Sequence, residues 1–449
     1  MWLGSAFRFF QSAFKWAARA QARVEPETRI LQFLADYRTI LTSGAFRAAD
    51  YAWLHLGSRA LAPIALLHYL LAGERQGNRP TPFFDPAFFA ARRPRGGSPF
   101  AAFLRGPRGA PACAEFDEAW FVARHPEAKA AASPWAFMTE RGIAGLLDPS
   151  PEISLAFIAN AYRSRNKRLA RTLMKVFHRR RGDGRASCVL NRADLRAHQA
   201  AFRAAIRLRA LKESPAQRPW LVFVQTDGGH PARLHAAERR YDLMLNYYRE
   251  PKEPPREAEH VFVQNGTKTT AIATLMEARP GLFAAYDHVL FLDDDIDLSA
   301  AQIADFFGLM SENGLDLAQP ALAKGSDGSF PILFQQAGSP GFRRINYVEI
   351  MMPAFSRRAL AASADCFRRG ISGFGVDVLI GATIAEKLGP NIAVVDKVAA
   401  RHLRAIDLEG GALYRYLSAS GIDASVEMWT ILAENGLESK LVETEARGN

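Results

Sequence analysis

Cysteine is scarce in this chain. Three cysteines, Cys113, Cys188 and Cys366, are scattered through 449 residues with no C-x-x-C spacing. That excludes a disulfide framework and a cysteine zinc site, and it points to a reducing compartment. Long hydrophobic runs are also missing. No uninterrupted apolar stretch approaches the roughly 20 residues needed to cross a bilayer. Acidic residues are absent from the first 23 positions, MWLGSAFRFFQSAFKWAARAQAR. There Trp2, Leu3, Phe7, Phe10, Phe14 and Trp16 are interspersed with Arg8, Lys15, Arg19 and Arg23. The segment lacks the apolar centre of a signal peptide. It fits a basic amphipathic helix lying on a membrane surface, or equally a helix packed on the rest of the protein. The expected location is therefore cytoplasmic, with peripheral contact at the inner face of a membrane through residues 1–23.

What is present is a normal globular composition, 49% hydrophobic, with a net charge of +11 that is unevenly placed. The stretch from Arg163 to Arg185 is strongly basic and Asp293 to Asp316 is acidic. A basic cluster can touch nucleic acid or anionic lipid, but a solvated helix followed by a linker accounts for it equally, and no nucleic-acid partner is expected.

Three territories and a tail follow from the patterning. Residues 1–152 contain three imperfect echoes that start at Asp50, Asp85 and Asp117. Each has aromatics a few residues on, a proline before a short apolar helix and a glycine-containing turn. The period of roughly 31 to 35 residues is that of helical-hairpin repeats, which bury their aromatics by stacking on themselves. Docking or positioning is the expected role. Residues 153–217, rich in arginine and alanine, are expected to be a helical linker, broken at Arg181-Gly-Asp-Gly-Arg185. Residues 218–434 alternate strand and helix signals, which implies an α/β fold with a mainly parallel sheet. Strands are expected at Trp220–Gln225, Tyr241–Tyr248, His260–Gln264, Leu315–Pro320, Asn346–Met352 and Asn391–Asp396, with a helix from about Lys268 to Glu277. Residues 435–449 are expected to be a loose polar tail.

The chemistry concentrates in Tyr286-Asp-His-Val-Leu-Phe-Leu-Asp-Asp-Asp-Ile-Asp297. An apolar strand runs straight into three adjacent carboxylates, and ligands of open α/β sheets bind where strands end. Crowded carboxylates repel one another unless a cation sits among them. Hard oxygen ligands suit Mg²⁺ or Mn²⁺, which would in turn hold a substrate's phosphates. A calcium loop starting at Asp293 would need glycine at position 298 and glutamate at position 304; the chain has Leu298 and Ala304, which excludes it. A phosphoaspartyl hydrolase is matched by Asp295, Asp297 and Ser299, but its later lysine and acidic pair are not evident. A nucleotide-sugar transferase, with a metal bridging the two phosphates, fits best. There Asp293 and Asp295 are the metal ligands, and Asp294 supports the donor.

From about Trp220 to Thr430 the chain resembles the family catalogued as domain of unknown function 707, a group of proposed glycosyltransferases with a GT-A-like fold. The resemblance is carried in order by Tyr286 to Asp295, Gly314-Leu-Asp-Leu-Ala-Gln-Pro-Ala321, Val348-Glu-Ile-Met-Met-Pro-Ala-Phe-Ser-Arg357, Gly373-Phe-Gly-Val-Asp377, and Val394-Val-Asp396 with His402. Two positions depart from the family: Leu-Asp-Asp-Asp replaces its usual Trp-Asp-Glu-Asp, and Phe374 stands where it tends to have tryptophan. Both outer carboxylates and an aromatic ring survive these changes. The repeats of residues 1–152 more loosely resemble modules attached to bacterial polysaccharide glycosyltransferases. The resemblance implies a GT-A-like Rossmann-type sheet flanked by helices, preceded by an all-α module. It also implies a third metal ligand in His402, and donor contacts from Lys268 with Asn265 and Thr267.

Physical reasoning assigns the rest. Gly373 and Gly375 allow close backbone approach to a sugar, and Phe374 can pack on a sugar face. Asp377, at a helix start, is placed either to take the proton of an acceptor hydroxyl or to cap the helix. Gln319 shapes the acceptor cleft, and Glu349 lines or braces it. The expected activity is metal-dependent transfer of a sugar from a nucleoside-diphosphate sugar to a glycan or lipid-linked acceptor, in bacterial surface polysaccharide synthesis. The alternatives are a non-catalytic glycan-binding or assembly protein of the same fold, and the phosphohydrolase.

Overall fold

The computed structural model describes residues 26–92, 96–107, 109–164, 168–183, 188–229, 232–253, 257–407 and 411–444. The basic aromatic segment 1–23 and residues 184–185 of the Arg181–Arg185 break lie outside the described residues. The chain divides into two compact units, Met1–Asp194 and Leu195–Asn449. No described helix is long and apolar enough to cross a membrane.

The described part of the first unit is built of short helices whose starts are set by side-chain caps. The Asp85 carboxylate accepts from the backbone N–H groups of Ala87 and Phe88, starting helix Pro86–Arg92. Asp117 does the same for helix Glu118–Arg124 through Trp120. Ser98, Ser133 and Ser154 cap three further helices in the same way. Asp50 differs: it sits inside helix Ala48–His55, bonded to Arg47, so the first echo is not structurally equivalent to the other two. Aromatics fill the interior, with Phe84 and Phe100 rings 4.7 Å apart and Phe103 edge-on to Trp135 at 4.9 Å. Arg79 is buried in this unit, 2.7 Å from Glu115 and 3.1 Å from Asp85, which joins the capping carboxylate of one echo to the chain leading into the next.

The second unit carries a mixed, mainly parallel sheet flanked by helices, as expected of an α/β fold. Its strands are β1 (Leu208–Lys212), β2 (Trp220–Thr226), β3 (Asp242–Tyr247), β4 (His260–Gln264), β5 (His288–Asp293), β6 (Ile296–Asp297), β7 (Leu317–Leu322), β8 (Arg343–Arg344), β9 (Ala354–Ser356) and β10 (Ile392–His402). They lie in the order β1-β4-β3-β2-β5-β9-β7-β10-β6, with β8 on β10. β4, β3, β2 and β5 run parallel, as do β7 and β10; β1, β9, β8 and β6 are antiparallel to their neighbours. Leu221–Val224 and Val289–Leu292 are wholly buried, as strands covered on both faces must be. From β2 the chain first builds outward through β3 and β4, then crosses back to β5 on the other side. The crevice between the carboxyl ends of β2 and β5 is thus a topological switch point, and Gln225 and Asp293 are paired there in register.

Three expectations are corrected. The stretch 153–217 is not a helical linker throughout: helix Arg192–Ala204 crosses the unit boundary, and β1 follows as an edge strand on β4. Asn346–Met352 is not a strand. The Gln319 side chain takes the N–H of Glu349, and Pro353 has no N–H to extend a ladder, so pairing beside β5 becomes regular only at β9. The described tail is not loose either. Asn346 and Val442 exchange two hydrogen bonds, and Leu437 and Leu441 pack on the core.

Removing one partner from a buried, hydrogen-bonded ion network leaves uncompensated charge. Arg79→Ala is therefore expected to cost the first unit about 3–5 kcal/mol. Scanning calorimetry checks it: one transition should move sharply down in temperature while that of the sheet unit stays in place.

Candidate functional site

β5 delivers Asp293 at its last position, and the turn that follows places Asp294 and Asp295 before β6. Each of the three carboxylates has its own cationic neighbour. Asp293 is 2.6 Å from the ammonium of Lys268, the first residue of helix α1 (Lys268–Ala278). That ammonium, almost fully buried, also donates to the carbonyl of Met351 at 2.8 Å. Asp294 accepts from the Arg404 guanidinium at 3.2 Å and more weakly from the N–H of Asp227 at 3.4 Å. Asp295 lies 3.4 Å from Nε2 of His402.

The meeting of Asp295 with His402 is a consequence of strand pairing. β6 lies antiparallel to the end of β10, with His402 opposite Ile296, and the N–H of Leu403 donates to the carbonyl of Asp295 at 2.9 Å. Nδ1 of His402 sits 3.0 Å from the carbonyl of Asp327, and its backbone N–H donates to Ser326. Both ring nitrogens thus face oxygen acceptors, Nδ1 the Asp327 carbonyl and Nε2 the Asp295 carboxylate, which fixes the ring; release of the Nε2 proton would free that nitrogen for a cation beside Asp295.

Protonation follows these neighbours. Burial pushes the Asp293 and Asp294 carboxyls up, opposed by Lys268 and Arg404 respectively. Asp293 nonetheless keeps two-fifths of its side chain open to solvent. Asp295 is also pushed up by burial, but hydrogen bonding and charge from His402 outweigh it and hold the group below the usual range. The bond to Asp295 in turn raises His402.

The other wall begins at Gly373-Phe-Gly375. Both glycines have left-handed backbone, φ +92° and +78°. A Cβ on Gly373 would meet the Thr269 hydroxyl at 2.8 Å, and one on Gly375 would meet the Cα of Met428 at 3.0 Å. In this structure the glycines serve the turn and its packing rather than an approach to a sugar. Gly375 is the N-cap of helix α4, numbered after α2 (Ala300–Glu312) and α3 (Arg357–Ser363), which spans Val376–Leu388. Asp377 is therefore the second residue of the helix, within its first turn, and is not its cap. Its carboxyl accepts from the N–H of Val378 at 2.9 Å. Burial, with Glu349 nearby, pushes its pKa up to about 7.

Glu349 is held by its own N–H on the Gln319 side chain at 2.9 Å. Burial raises its carboxyl, opposed by a hydrogen bond from the Ser329 side chain and by the charge of His402, while Asp293 adds to the rise. Phe374 packs partly into a small apolar cluster with Phe202, Ile371 and Leu417, and its ring lies 5.9 Å from that of Tyr414. Asp293, Asp294, Asp295, Lys268, His402, Glu349 and Asp377 thus form one electrostatically connected group. Asn265 and Thr267 are otherwise engaged. Asn265 accepts from Arg207 N–H and donates to the Ala205 carbonyl, while Thr267 caps α1 and bonds to the Ile371 carbonyl. Ser299, third in the hydrolase pattern, is the N-cap of α2.

Arg404 and Asp227 were not identified from sequence. An Asp-Gly-Gly turn directly after the first buried strand of a doubly wound sheet is the signal that could have found Asp227. Arg404 had none beyond lying two residues past His402.

Among the described residues, no three His, Cys, Asp or Glu side chains already converge as a metal cage. A mixed site still fits. Asp295 and His402 offer an oxygen and an imidazole nitrogen to Mn²⁺ or Mg²⁺, cations that commonly take one or two protein ligands and complete their shell with phosphate oxygens and water.

No family model matches the chain, and no curated protein matches it. Among solved structures it is similar to S. aureus TarS 1–349, at 12% identity and a TM-score of 0.29, over 40% of this chain and 59% of that one. The chain thus spans less than two thirds of that structure's length. The same protein in complex with UDP-GlcNAc matches at 13% identity and a TM-score of 0.29, over 48% of this chain and 71% of that one. Glucosyl-3-phosphoglycerate synthase from Mycobacterium tuberculosis, crystallised with Mn²⁺, UDP and glucosyl-3-phosphoglycerate, matches at 15% identity and a TM-score of 0.30, over 51% of this chain and 84% of that one.

Asp377 carries a pH signature. Its folded pKa lies above the unfolded value of about 3.9, so the fold favours the protonated form. The stability this contributes is complete below the unfolded pKa and is lost as pH rises through about 7. Asp377→Asn keeps the neutral form at every pH. Thermal melts should show the variant above the wild type at about pH 8.5, with the gap narrowing as pH falls below about 7 and closing only below about pH 4.

Proposed function

We propose that the second unit is a metal-dependent glycosyltransferase that moves a sugar from a nucleoside-diphosphate sugar to a hydroxyl of a glycan or lipid-linked acceptor. The observation that carries this reading is the Asp295–His402 pair at the switch-point crevice, beside a carboxylate already neutralised by buried Lys268. A Mn²⁺ or Mg²⁺ ion held by Asp295 and His402 would stabilise the charge that develops on the departing diphosphate. Asp293, bound to Lys268 through one oxygen, orients the cation's water shell. Arg404, half exposed beside Asp294, supplies a further positive charge for the diphosphate.

Asp377 receives the proton of the acceptor hydroxyl. Its pKa of about 7 makes it a base matched to neutral pH, ionised in a growing fraction of molecules as pH rises through that value. A role in bacterial surface polysaccharide synthesis is consistent with the repeats of the first unit, whose part would be to dock the enzyme on its glycan or on a membrane.

A thermal-shift screen of nucleotide sugars, with and without Mn²⁺, tests the proposal. Mass action gives about 2.7 kcal/mol of stabilisation at a hundredfold excess over the dissociation constant. A Mn²⁺-dependent shift is expected with one donor class, lost in Asp295→Ala and in His402→Ala, together with slow Mn²⁺-dependent release of nucleoside diphosphate. Binding without any such release would favour the non-catalytic glycan-binding reading. Release of phosphate from a generic phosphoester, dependent on Asp297, would instead favour the phosphohydrolase.

A further inference from the structure

The acceptor side of the cleft holds an unusual buried group. Glu349 is only 9% exposed; the Ser329 side chain hydrogen-bonds to its carboxyl, but its Oε2 atom has no hydrogen-bond partner among the described residues. A buried carboxylate oxygen without a donor is costly, and such groups are normally satisfied by protein, water or ligand. The backbone of Glu349 cannot simply swing away, because Gln319 at the floor of the sheet holds its N–H. Asp377, at the start of α4, is the neighbouring acid, and Glu349 is the charged side chain that bears on it. Among the described residues neither carboxyl has a lysine or arginine ion pair; the nearby cations are committed elsewhere, Lys268 to Asp293 and His402 to Asp295. The aromatic edge of this side is the Phe374–Tyr414 pair, the latter from helix α5 (Ala412–Ala419).

We propose, resting on the transferase reading above, that the acceptor is an uncharged sugar presenting two adjacent hydroxyls, one to Asp377 and the other to the unpartnered Oε2 of Glu349. Phosphorylated and carboxylated acceptors are excluded by these same two carboxyls. A hydroxyl is the donor that Oε2 lacks, whereas an anionic group would bring a third negative charge to a site whose two carboxyls have no lysine or arginine ion pair among the described residues. The Phe374–Tyr414 edge suits the apolar face of a sugar ring. In the transfer step the bond between the anomeric carbon and the diphosphate oxygen breaks, and its electron pair leaves with the nucleoside diphosphate. The acceptor oxygen bonds to the anomeric carbon, and its proton passes to Asp377. Glu349 takes no proton; it aligns the diol and acts as a specificity residue.

Two measurements on the full chain test this. The first needs no donor: saturation-transfer NMR with methyl hexopyranosides and with the corresponding hexose 6-phosphates. Neutral sugars should give the signal. A signal from the phosphates alone, or from neither class, overturns the proposal. The second uses Mn²⁺ and the nucleotide sugar that supports nucleoside diphosphate release, and compares how far each sugar class accelerates that release. Glu349→Gln should lower the preference for neutral over phosphorylated acceptors by about tenfold, expressed in KM rather than kcat. An equal loss for both classes would show a bracing role and sink the specificity assignment. Absence of donor turnover in the wild-type protein would count against the transferase reading itself, and the NMR comparison would then decide the acceptor class alone.

Discussion

Three carboxylates leave one buried strand within three residues, and they coexist because each has a different cationic neighbour. Lys268 comes from the start of α1, Arg404 from beyond the last strand, and His402 from that strand's end. Without them, burial and mutual repulsion would drive at least one acid to its neutral form. The elements that surround the crevice can be understood as the means of bringing these partners in. α1 begins with a capped threonine so that its first residue can turn its side chain inward. β10 runs eleven residues, with a register shift partway, so that its end reaches β6. The result is an alternation of charge at the carboxyl ends of β2 and β5, where a diphosphate and its cation can replace one set of partners with another.

The opposite wall works by a different constraint. Two left-handed glycines turn the chain into α4, whose second residue, Asp377, lies within electrostatic reach of Glu349, and both glycines are hemmed in by protein atoms where a Cβ would sit. A substitution there would change the direction of α4, and with it the position of Asp377. The functional importance of this turn is geometric, transmitted through helix placement, and it requires no contact between the glycines and a sugar. Phe374 follows the same logic, because much of its ring is used in packing and its edge is shared with Tyr414.

Much of this was legible from the chain itself. Continuous apolar runs ending in acids identify parallel strands and the end that binds ligand, and β2, β4, β5 and α1 fall within a residue or two of expectation. His402, Glu349, Asp377 and Lys268 were candidates; Lys268 and His402 contact the aspartates, Glu349 lies within electrostatic reach of Asp293, and Asp377 within reach of Glu349. What escaped was set by interactions that leave no local pattern. Asn346–Met352 has a strand's composition, but a single amide side chain, Gln319, diverts its backbone. The polar tail docks through Asn346 and two leucines, a signal too sparse to distinguish from a loose end. Lys268 looked like a solvent-side donor contact, yet its methylenes are buried and its charge points back at Asp293. The direction of a lysine is a tertiary property.

The burial of Asp377 and Glu349 has a thermodynamic consequence that bears on how the site works. A carboxyl held near neutrality by burial weakens the fold whenever it ionises, so the ionised base needed for proton transfer is the less stable state of the protein. Natural proteins tolerate such a cost where function requires it. On the proposed function, the same burial would supply a driving force for acceptor binding. Hydroxyls that satisfied Oε2 of Glu349 and shared a proton with Asp377 would relieve the two buried acids. An acceptor therefore gains affinity from a defect already present in the fold, and replacing that defect with a neutral side chain should exchange specificity for stability.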